Sequence, residues 1–519
     1  DSIINVGTLN SALASNNITV TTAGAGTQAG NINVNADVTW NANTALTLRA
    51  DNDIHINANI TATGNTGKLN LQYGQTTSNS NASYYLNNGA KVNLKAGQNF
   101  STQKGANAPI NYTVITDLGA AGSTTKTDLQ GMSGDLLGNY VLGADIDATA
   151  TSGWNNGQGF NPIGNSLNRF TGKFDGLNHT ISNLNINRAV QDDVGLFGTT
   201  SNATIQNIGL IQANIKGYNR VGALIGRAEY TNTSNAFSTG QVNGYHAVGG
   251  LVGRNQNQSS ILSSYSNAQV TATDNFAGGL SGANQLDSRI ESSYATGAVQ
   301  AQSSNSNAGG LSGNNVANSV IKNSYATGAV SGRENVGGLL GNNDSSTVEN
   351  SYATGQVTRT SGNAMTFGGL VGWYGGTINN SYYDKTSTGQ ANAVGDGTGT
   401  VNATDITVAN RYSRNGYSNL GTWSLLAGTT NVYVAKDASN QNQWVMIEGQ
   451  TRPFLWSEYS TNINNLHQLQ LMAVDLTKNY TVHHNIDATA TNGLNTSDMW
   501  STAGFDPIGN NSNRFTGKF

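Results

Sequence analysis

The chain has 519 residues, of which 64 are glycine, four are proline and none is cysteine. Only 10% of the residues are charged and the formal net charge is −4, which gives no electrostatic support to nucleic-acid binding. Helical proteins need Glu, Lys, Arg and Leu in quantity, so this composition argues against a helical fold. No apolar run reaches the roughly 18 residues of a membrane-spanning helix.

The first segment, residues 1–126, alternates apolar and polar residues in short runs. The clearest runs are Ile32–Val38, Leu46–Ala50, Ile54–Ile60 and Leu69–Leu71. Strict alternation predicts strands with one face turned inward. Their spacing indicates coils of about 20 residues.

A glycine-rich hexad such as Val221–Gly226 recurs through residues 127–386. Its leucines follow one another at a nearly constant interval of roughly 28 residues: Leu196, Leu224, Leu251, Leu280, Leu311, Leu339 and Leu370. A second motif, Asn-Ser-Tyr-Ala-Thr-Gly-Xaa-Val, lies between the hexads, most clearly at Asn323–Val330 and Asn350–Val357. Two motifs that share one period indicate a single structural unit repeated along the chain.

A unit of about 28 residues accommodates three short strands and three turns. We therefore predict an all-β fold, a right-handed parallel β-helix with three short strands per coil. The hexad leucines should form one internal ladder and the motif tyrosines and valines others, whereas serine, threonine and asparagine should form ladders outside or at turns. A propeller is the main competing fold, but its blades need about 40 residues each.

Residues 387–465 interrupt the repeats, and three of the seven tryptophans, Trp423, Trp444 and Trp456, fall there. This segment is predicted to be a connector that packs aromatic side chains between modules. Residues 466–519 repeat the pattern of residues 127–174; Ile146–Ala150, for example, returns as Ile486–Ala490. We expect a second module that begins here and a polypeptide that continues beyond it.

Few residues suggest catalysis or metal binding. Asp145 and Asp147 stand two apart on a predicted strand, an arrangement that could serve glycoside hydrolysis, although the second copy has Asn485 in place of the first aspartate. The adjacent His483 and His484 would face opposite sides of a strand, which makes them poor joint metal ligands. We expect no catalytic residue, no metal site and no cofactor.

The motifs resemble two known families. The pattern of residues 30–72 is similar to the stalk of the filamentous haemagglutinin family, and the hexads resemble the GLUG repeats of bacterial surface proteins, with Phe170–Gly176 similar to their opening and Asn380–Lys385 to their close. The resemblance implies a Gram-negative exoprotein of the two-partner secretion type, exported through an outer-membrane β-barrel transporter. It also implies a location outside the cell, at the bacterial outer surface.

These features together favour a non-enzymatic adhesin or surface-fibre stalk, whose repeats give reach and multivalent display. Its expected partners are surface glycans or proteins of a host or neighbouring cell, and self-association into fibres stays open. Trp373 and Tyr374, expected in an exposed turn, are the predicted binding residues. Two alternatives remain: a stalk that presents a toxin or peptidase domain, and a glycan-cleaving β-helix enzyme.

Overall fold

The computed structural model describes residues 2–22, 29–75, 81–360, 366–482, 485–493 and 497–519. The fold is a parallel β-solenoid with three strands per coil and little helix, which confirms the predicted fold class. The chain divides into two compact units, which are described in turn. Across the described residues no helix is both long enough and apolar enough to span a membrane.

The first unit comprises Asp1–Ala148, Thr171–Ser182 and Ala203–Gly209. Its described residues begin with the α-helix Val6–Leu13 and include the 3-10 helix Gln130–Gly134. Its strands are Ile18–Thr21, Ile32–Val34, Val38–Trp40, Ala45–Arg49, Ile54–Ile56, Ile60–Ala62, Lys68–Tyr73, Tyr84–Leu86, Val92–Asn93, Gly97–Lys104, Ile110–Ile115, Tyr140–Leu142, Ile146–Asp147, Lys173–Asp175 and Thr180–Ser182, with the first residues of Thr204–Lys216.

The alternating runs of the first unit form parallel strands in register. Leu46 pairs with Leu69, and Leu69 pairs with Phe100 on the next coil; all three side chains are buried. On another side Ile32 pairs with Ile54, and Ile54 pairs with Tyr84. The predicted inward faces are therefore confirmed. The predicted coil length is too short for the later coils, because the chain advances further from Ile54 to Tyr84 than from Ile32 to Ile54.

The second unit comprises Thr149–Phe170, Asn183–Asn202 and Leu210–Phe519. One side of its coils is a parallel sheet of six strands: Asn219–Gly222, His246–Gly249, Phe276–Gly278, Asn307–Gly309, Asn335–Gly337 and Phe367–Gly368. A second side has eight strands: Phe197–Ser201, Ile225–Glu229, Val252–Gln256, Ser281–Gln285, Ser312–Val316, Leu340–Asp344, Val371–Tyr374 and Val394–Gly397.

The third side of the coils is broken by bends into short pieces. Its strands are Asn185–Asn187, the last residues of Thr204–Lys216, Asn232–Gly244, Ser260–Leu262, Tyr265–Ser266, Gln269–Ala272, Arg289–Glu291, Tyr294–Ala295, Val299–Ala301, Val320–Lys322, Tyr325–Ala326, Val330–Gly332, Thr347–Glu349, Tyr352–Ala353, Val357–Arg359, Thr377–Tyr383 and Thr400–Asp405. Equivalent residues of successive motifs pair directly, as Tyr325 with Tyr352 and Val330 with Val357.

The hexad leucines form an internal ladder, as predicted. All seven are fully buried, and the backbone N–H of Leu251 donates to the carbonyl of Leu280 at 2.9 Å, a bond repeated on the following coils. Asparagine behaves differently from the prediction. Asn255, Asn284 and Asn315 are fully buried, and each side-chain amide donates to the next asparagine at 2.8 Å. The Oδ1 of Asn255, at the start of the column, is buried without a hydrogen-bond partner in the described part of the chain.

After the coils the chain folds into a mixed segment within the same unit. Its antiparallel strands are Thr422–Leu425, Val432–Lys436, Asn442–Ile447 and Phe454–Leu455, and Asn462–Ile463 pairs in parallel with Thr481–Val482. The unit's helical pieces are short: Thr149–Gly157, Lys385–Thr388, Val408–Asn410, Arg414–Leu420, Trp456–Glu458, Leu466–Gln470, Leu471–Val474 and Thr489–Thr491.

Candidate functional site

The motif aromatics form a continuous column of stacked rings on the third side of the coils. We call this column the aromatic stack: Phe237, Tyr265, Tyr294, Tyr325 and Tyr352. Neighbouring ring centroids are 4.8 to 5.0 Å apart and the planes differ by 2° to 9°. The spacing equals the distance between paired strands, so each ring rests on the equivalent ring of the next coil.

The aromatic stack faces outward, and its part from Tyr265 to Tyr352 is covered by the described part of residues 406–500, here called the covering segment. The Tyr325 hydroxyl donates to Glu458 Oε1 at 2.9 Å, and the Tyr352 hydroxyl donates to the Pro453 carbonyl at 2.6 Å. The Trp444 ring lies against both tyrosines, with centroids 6.2 and 5.7 Å away. The tyrosines thus stack as predicted, but against the covering segment rather than in the interior of the coils.

A buried carboxylate joins the covering segment to the end of the coils. Asp384 accepts a hydrogen bond from Arg411 Nε at 2.6 Å and another from the guanidinium of Arg452. The side chains of Asp384 and Arg452 are both fully buried. Its Oδ1 also accepts from the N–H groups of Thr386 and Ser387. Burial opposes ionisation, but Arg452 and Arg411 outweigh it and lower the pKa of Asp384.

An open groove of about 370 Å³ lies on the second unit, and none of its lining residues belongs to the covering segment. We call it the amide groove. It is lined by Ser152, Gly157, Asn185, Ile186, Asn187, Asn214, Lys216 and Asn243. The lining comes from successive coils, because Asn187 pairs with Lys216 and the Gly217 N–H donates to the Asn243 carbonyl at 3.0 Å. Lys216 is the only charged residue among these lining residues.

Two exposed tyrosines follow lining residues of the amide groove closely along the chain and form what we call the tyrosine step. Tyr218 follows Lys216 by two residues and Tyr245 follows Asn243 by two, which is roughly 7 Å along an extended chain. The two rings stack at 4.8 Å and 15°, and the residues are 39% and 40% exposed. Aromatic rings beside amide side chains can bind a ligand that has both apolar faces and hydroxyl groups.

The predicted binding residues lie on a strand rather than in a turn. Trp373 and Tyr374 end the strand Val371–Tyr374 and are partly buried. Trp373 pairs with Asn342 on one side and Asp396 on the other. The expectation of an exposed turn is wrong, because a further coil pairs with this strand; a binding role for the two residues stays a prediction.

The two aspartates considered for hydrolysis do not form a matched pair on one strand. Asp145 precedes the strand Ile146–Asp147 and accepts from Lys91 Nζ at 2.8 Å, and His179 Nδ1 lies 3.2 Å from it. Burial opposes ionisation of Asp145, but the bonds from His179 and Lys91 prevail and lower its pKa. These contacts join the turn before the strand Ile146–Asp147 to Lys91 and His179 of the same unit, which is a structural role.

Metal ligands are not gathered anywhere in the described part of the chain. No group of three or more His, Cys, Asp or Glu side chains there could hold a metal ion. His483 and His484 lie outside the described residues. The buried His467 belongs to the covering segment and contacts Glu458 at 2.7 Å and Tyr325 at 3.1 Å.

The amide groove and the tyrosine step were missed by sequence reasoning. A signal was present, because Gly217-Tyr218 returns as Gly244-Tyr245 after the same interval that separates Leu224 from Leu251 in the hexads. A Cβ on either glycine would lie 2.8 Å from valine side chains, so glycine allows the corner on which each tyrosine is displayed.

Comparison with known proteins identifies the repeat. The family described as the GLUG motif matches residues 244–271 and 332–358. Halomucin of Haloquadratum walsbyi is 33% identical over 283 residues, which is 52% of this chain and 3% of halomucin. The chain thus spans only a small part of this relative's length.

Two solved structures resemble the chain weakly. A Bacteroides ovatus protein described as an immunoglobulin A1 protease has a TM-score of 0.42 and 20% identity, over 67% of this chain and 93% of that one. A second structure named IgA1 protease has a TM-score of 0.36 and 20% identity, over 60% of this chain and 24% of that one. The chain is a repeat-rich β-solenoid that carries GLUG motifs.

Proposed function

We propose that the chain is part of an extracellular adhesive protein, in which the solenoid is a non-enzymatic scaffold for binding. The observation that carries the proposal is the amide groove with its tyrosine step, an open site built from side chains in register on successive coils. Polar and aromatic groups without an assembled set of catalytic side chains suit recognition better than turnover.

The construction of the coils supports this role. Each coil adds one strand to every side, so equivalent side chains recur about every 4.8 Å. Columns of this kind can make many weak contacts at once, and their combined strength exceeds that of any single contact. The partners we propose are glycans or proteins on the surface of a host or neighbouring cell.

The location and export route belong to the same proposal. The halomucin relative and the GLUG motifs support a repeat-rich protein of the surface type. The resemblance of residues 30–72 to the haemagglutinin stalk further suggests the bacterial outer surface and passage through an outer-membrane transporter. These finer assignments rest on sequence patterns alone.

A bead assay tests the proposed function. Beads coated with the purified chain are incubated with bacterial, archaeal and animal cells, before and after enzymatic removal of surface glycans or proteins. Beads coated at equal density with serum albumin are the control. Retention of chain-coated beads well above the control supports adhesion, and the treatment that abolishes retention identifies the partner class. Retention equal to the control on every cell type contradicts the proposal.

A further inference from the structure

The tyrosine step is an unusual surface feature, because two large aromatic rings are exposed side by side. Elsewhere in the same unit the central tyrosines of the aromatic stack are shielded, and Tyr325 and Tyr352 are fully buried. Tyr218 and Tyr245 stack on each other, and about two fifths of each residue is exposed to solvent. Such rings pack against the apolar C–H face of a sugar ring as they do against other flat apolar groups.

The amide groove supplies the polar half of a sugar site. Asn187, Asn214 and Asn243 line it, and each amide offers an acceptor oxygen and two donor N–H groups. A sugar hydroxyl is both donor and acceptor, so amides match it in either role. The groove crosses successive coils, and its volume of about 370 Å³ accommodates a short chain of sugar rings rather than one.

The charge on the lining of the groove favours an anionic ligand. Lys216 lies in the groove, and none of the lining residues carries a carboxylate. Asp192 is already paired with Arg220 Nη2 at 2.8 Å. Asp274 follows Tyr245 on the next coil and keeps its negative charge, because burial and Arg254 lower the pKa of the neighbouring His246. The ammonium of Lys216 is therefore the charge that the lining of the groove presents to a ligand.

We propose that the amide groove and the tyrosine step bind an oligosaccharide that carries carboxylate or sulfate groups. Sugar rings pack on Tyr218 and Tyr245, hydroxyl groups bond the asparagine amides, and an acidic group pairs with Lys216. The proposal deepens the adhesive function and rests on it for its biological meaning, but binding itself can be measured separately.

The test uses the whole chain and an immobilised panel of uronate-containing, sialylated and sulfated oligosaccharides of three to six sugars, each beside a neutral counterpart. The strongest acidic probe is then titrated in solution. Replacing Tyr218 and Tyr245 together by alanine should weaken its affinity about tenfold, because two ring contacts are lost. Replacing both by phenylalanine should retain most of the affinity, since the rings remain.

Two further variants make the result specific. Lys216→Gln should reduce the preference for the acidic probe over its neutral counterpart by about three- to fivefold. Tyr230→Ala is the matched control, because Tyr230 is 49% exposed in the same unit but outside the site, and its affinity should equal that of the wild type. Thermal melts check that every variant is folded.

The possible outcomes separate this inference from the proposed function. Binding that survives the double alanine variant, or no binding to any acidic probe, overturns the sugar site, whereas retention of chain-coated beads on cells would still support adhesion. Binding to peptide or nucleic-acid probes in place of sugars also overturns it. Selective loss in the double alanine and Lys216→Gln variants supports it.

Discussion

Tyr352 lies within the covered part of the aromatic stack, and its replacement by alanine tests whether ring packing holds the covering segment against the coils. The Tyr352 ring is fully buried, with ring centroids 4.9 Å from Tyr325 and 5.7 Å from both Tyr417 and Trp444. Loss of a large buried aromatic costs about 3–5 kcal/mol of the free energy of unfolding. Its hydroxyl also bonds the Pro453 carbonyl at 2.6 Å.

Two related variants separate the contribution of the Tyr352 ring from that of its hydroxyl group and from that of a less buried ring. Tyr352→Phe keeps the ring and leaves the Pro453 carbonyl without this donor, so it should cost only about 1–2 kcal/mol. Phe237→Ala removes the first ring of the stack, which is partly exposed and contacts Tyr265 at 5.0 Å, and should also cost about 1–2 kcal/mol. We therefore predict that Tyr352→Ala lowers the free energy of unfolding far more than either Tyr352→Phe or Phe237→Ala.

Urea unfolding followed by tryptophan fluorescence and by far-ultraviolet circular dichroism measures these changes. Four of the seven tryptophans lie in the covering segment, and Trp444 among them lies against Tyr325 and Tyr352. Fluorescence should therefore report the release of the covering segment more strongly than circular dichroism, which is dominated by the coils. In Tyr352→Ala the fluorescence transition should move to lower urea by more than the dichroism transition. If Tyr352→Ala is no more destabilising than Phe237→Ala, ring packing does not hold the covering segment in place.

Buried contacts elsewhere in the second unit give three more predictions. Asp384→Asn should cost about 3–5 kcal/mol of unfolding free energy, since two buried guanidinium groups lose their carboxylate. Because folding lowers the pKa of Asp384, the stabilisation by this carboxylate should be complete above the unfolded pKa of about 4 and should be lost as the pH falls through the folded pKa. Urea titrations in which the variant and the wild type differ equally at every pH from 3 to 8 would contradict this. Asn315→Ala should cost about 1–3 kcal/mol of unfolding free energy in thermal or urea unfolding, since the amides of Asn284 and Asn343 lose a buried partner. Asn402→Ala, on an exposed strand, should change the stability little. Equal destabilisation by the two substitutions would count against a stabilising role of the buried asparagine column. Gly279→Ala places a Cβ 2.2 Å from the Gly310 carbonyl oxygen and should lower the melting temperature, whereas Gly153→Ala, with nothing within 4 Å, should not.

The coil architecture could be predicted because its signal is periodic. The hexad leucines recur at a nearly constant interval beside glycines, and an apolar residue at that spacing has to face the interior of a coil. The buried asparagine column could not be predicted from polarity alone. Asn255, Asn284 and Asn315 enter the interior because stacking at one residue per coil lets each amide satisfy the next, a contact that depends on the three-dimensional register.

The covering segment and the proposed binding site were harder to foresee. Tyr325 and Tyr352 recur at the same interval as core residues. Nothing in their sequence pattern indicates that they face outward or that they contact residues more than a hundred positions later. Tyr218 and Tyr245 share the coil period, but only two copies exist and the motif between the hexads drew attention to other tyrosines. Their significance depends on exposure, which the structure supplies.

Retention of chain-coated beads on glycan-bearing cells, compared between the wild type, the Tyr218→Ala/Tyr245→Ala variant and Tyr230→Ala, tests the proposed adhesive function most directly. We predict that the wild type and Tyr230→Ala are retained equally, that the double variant loses most of its retention, and that removal of acidic surface glycans has the same effect as the double substitution. Wild-type retention no greater than that of albumin-coated beads would show that the solenoid is not adhesive.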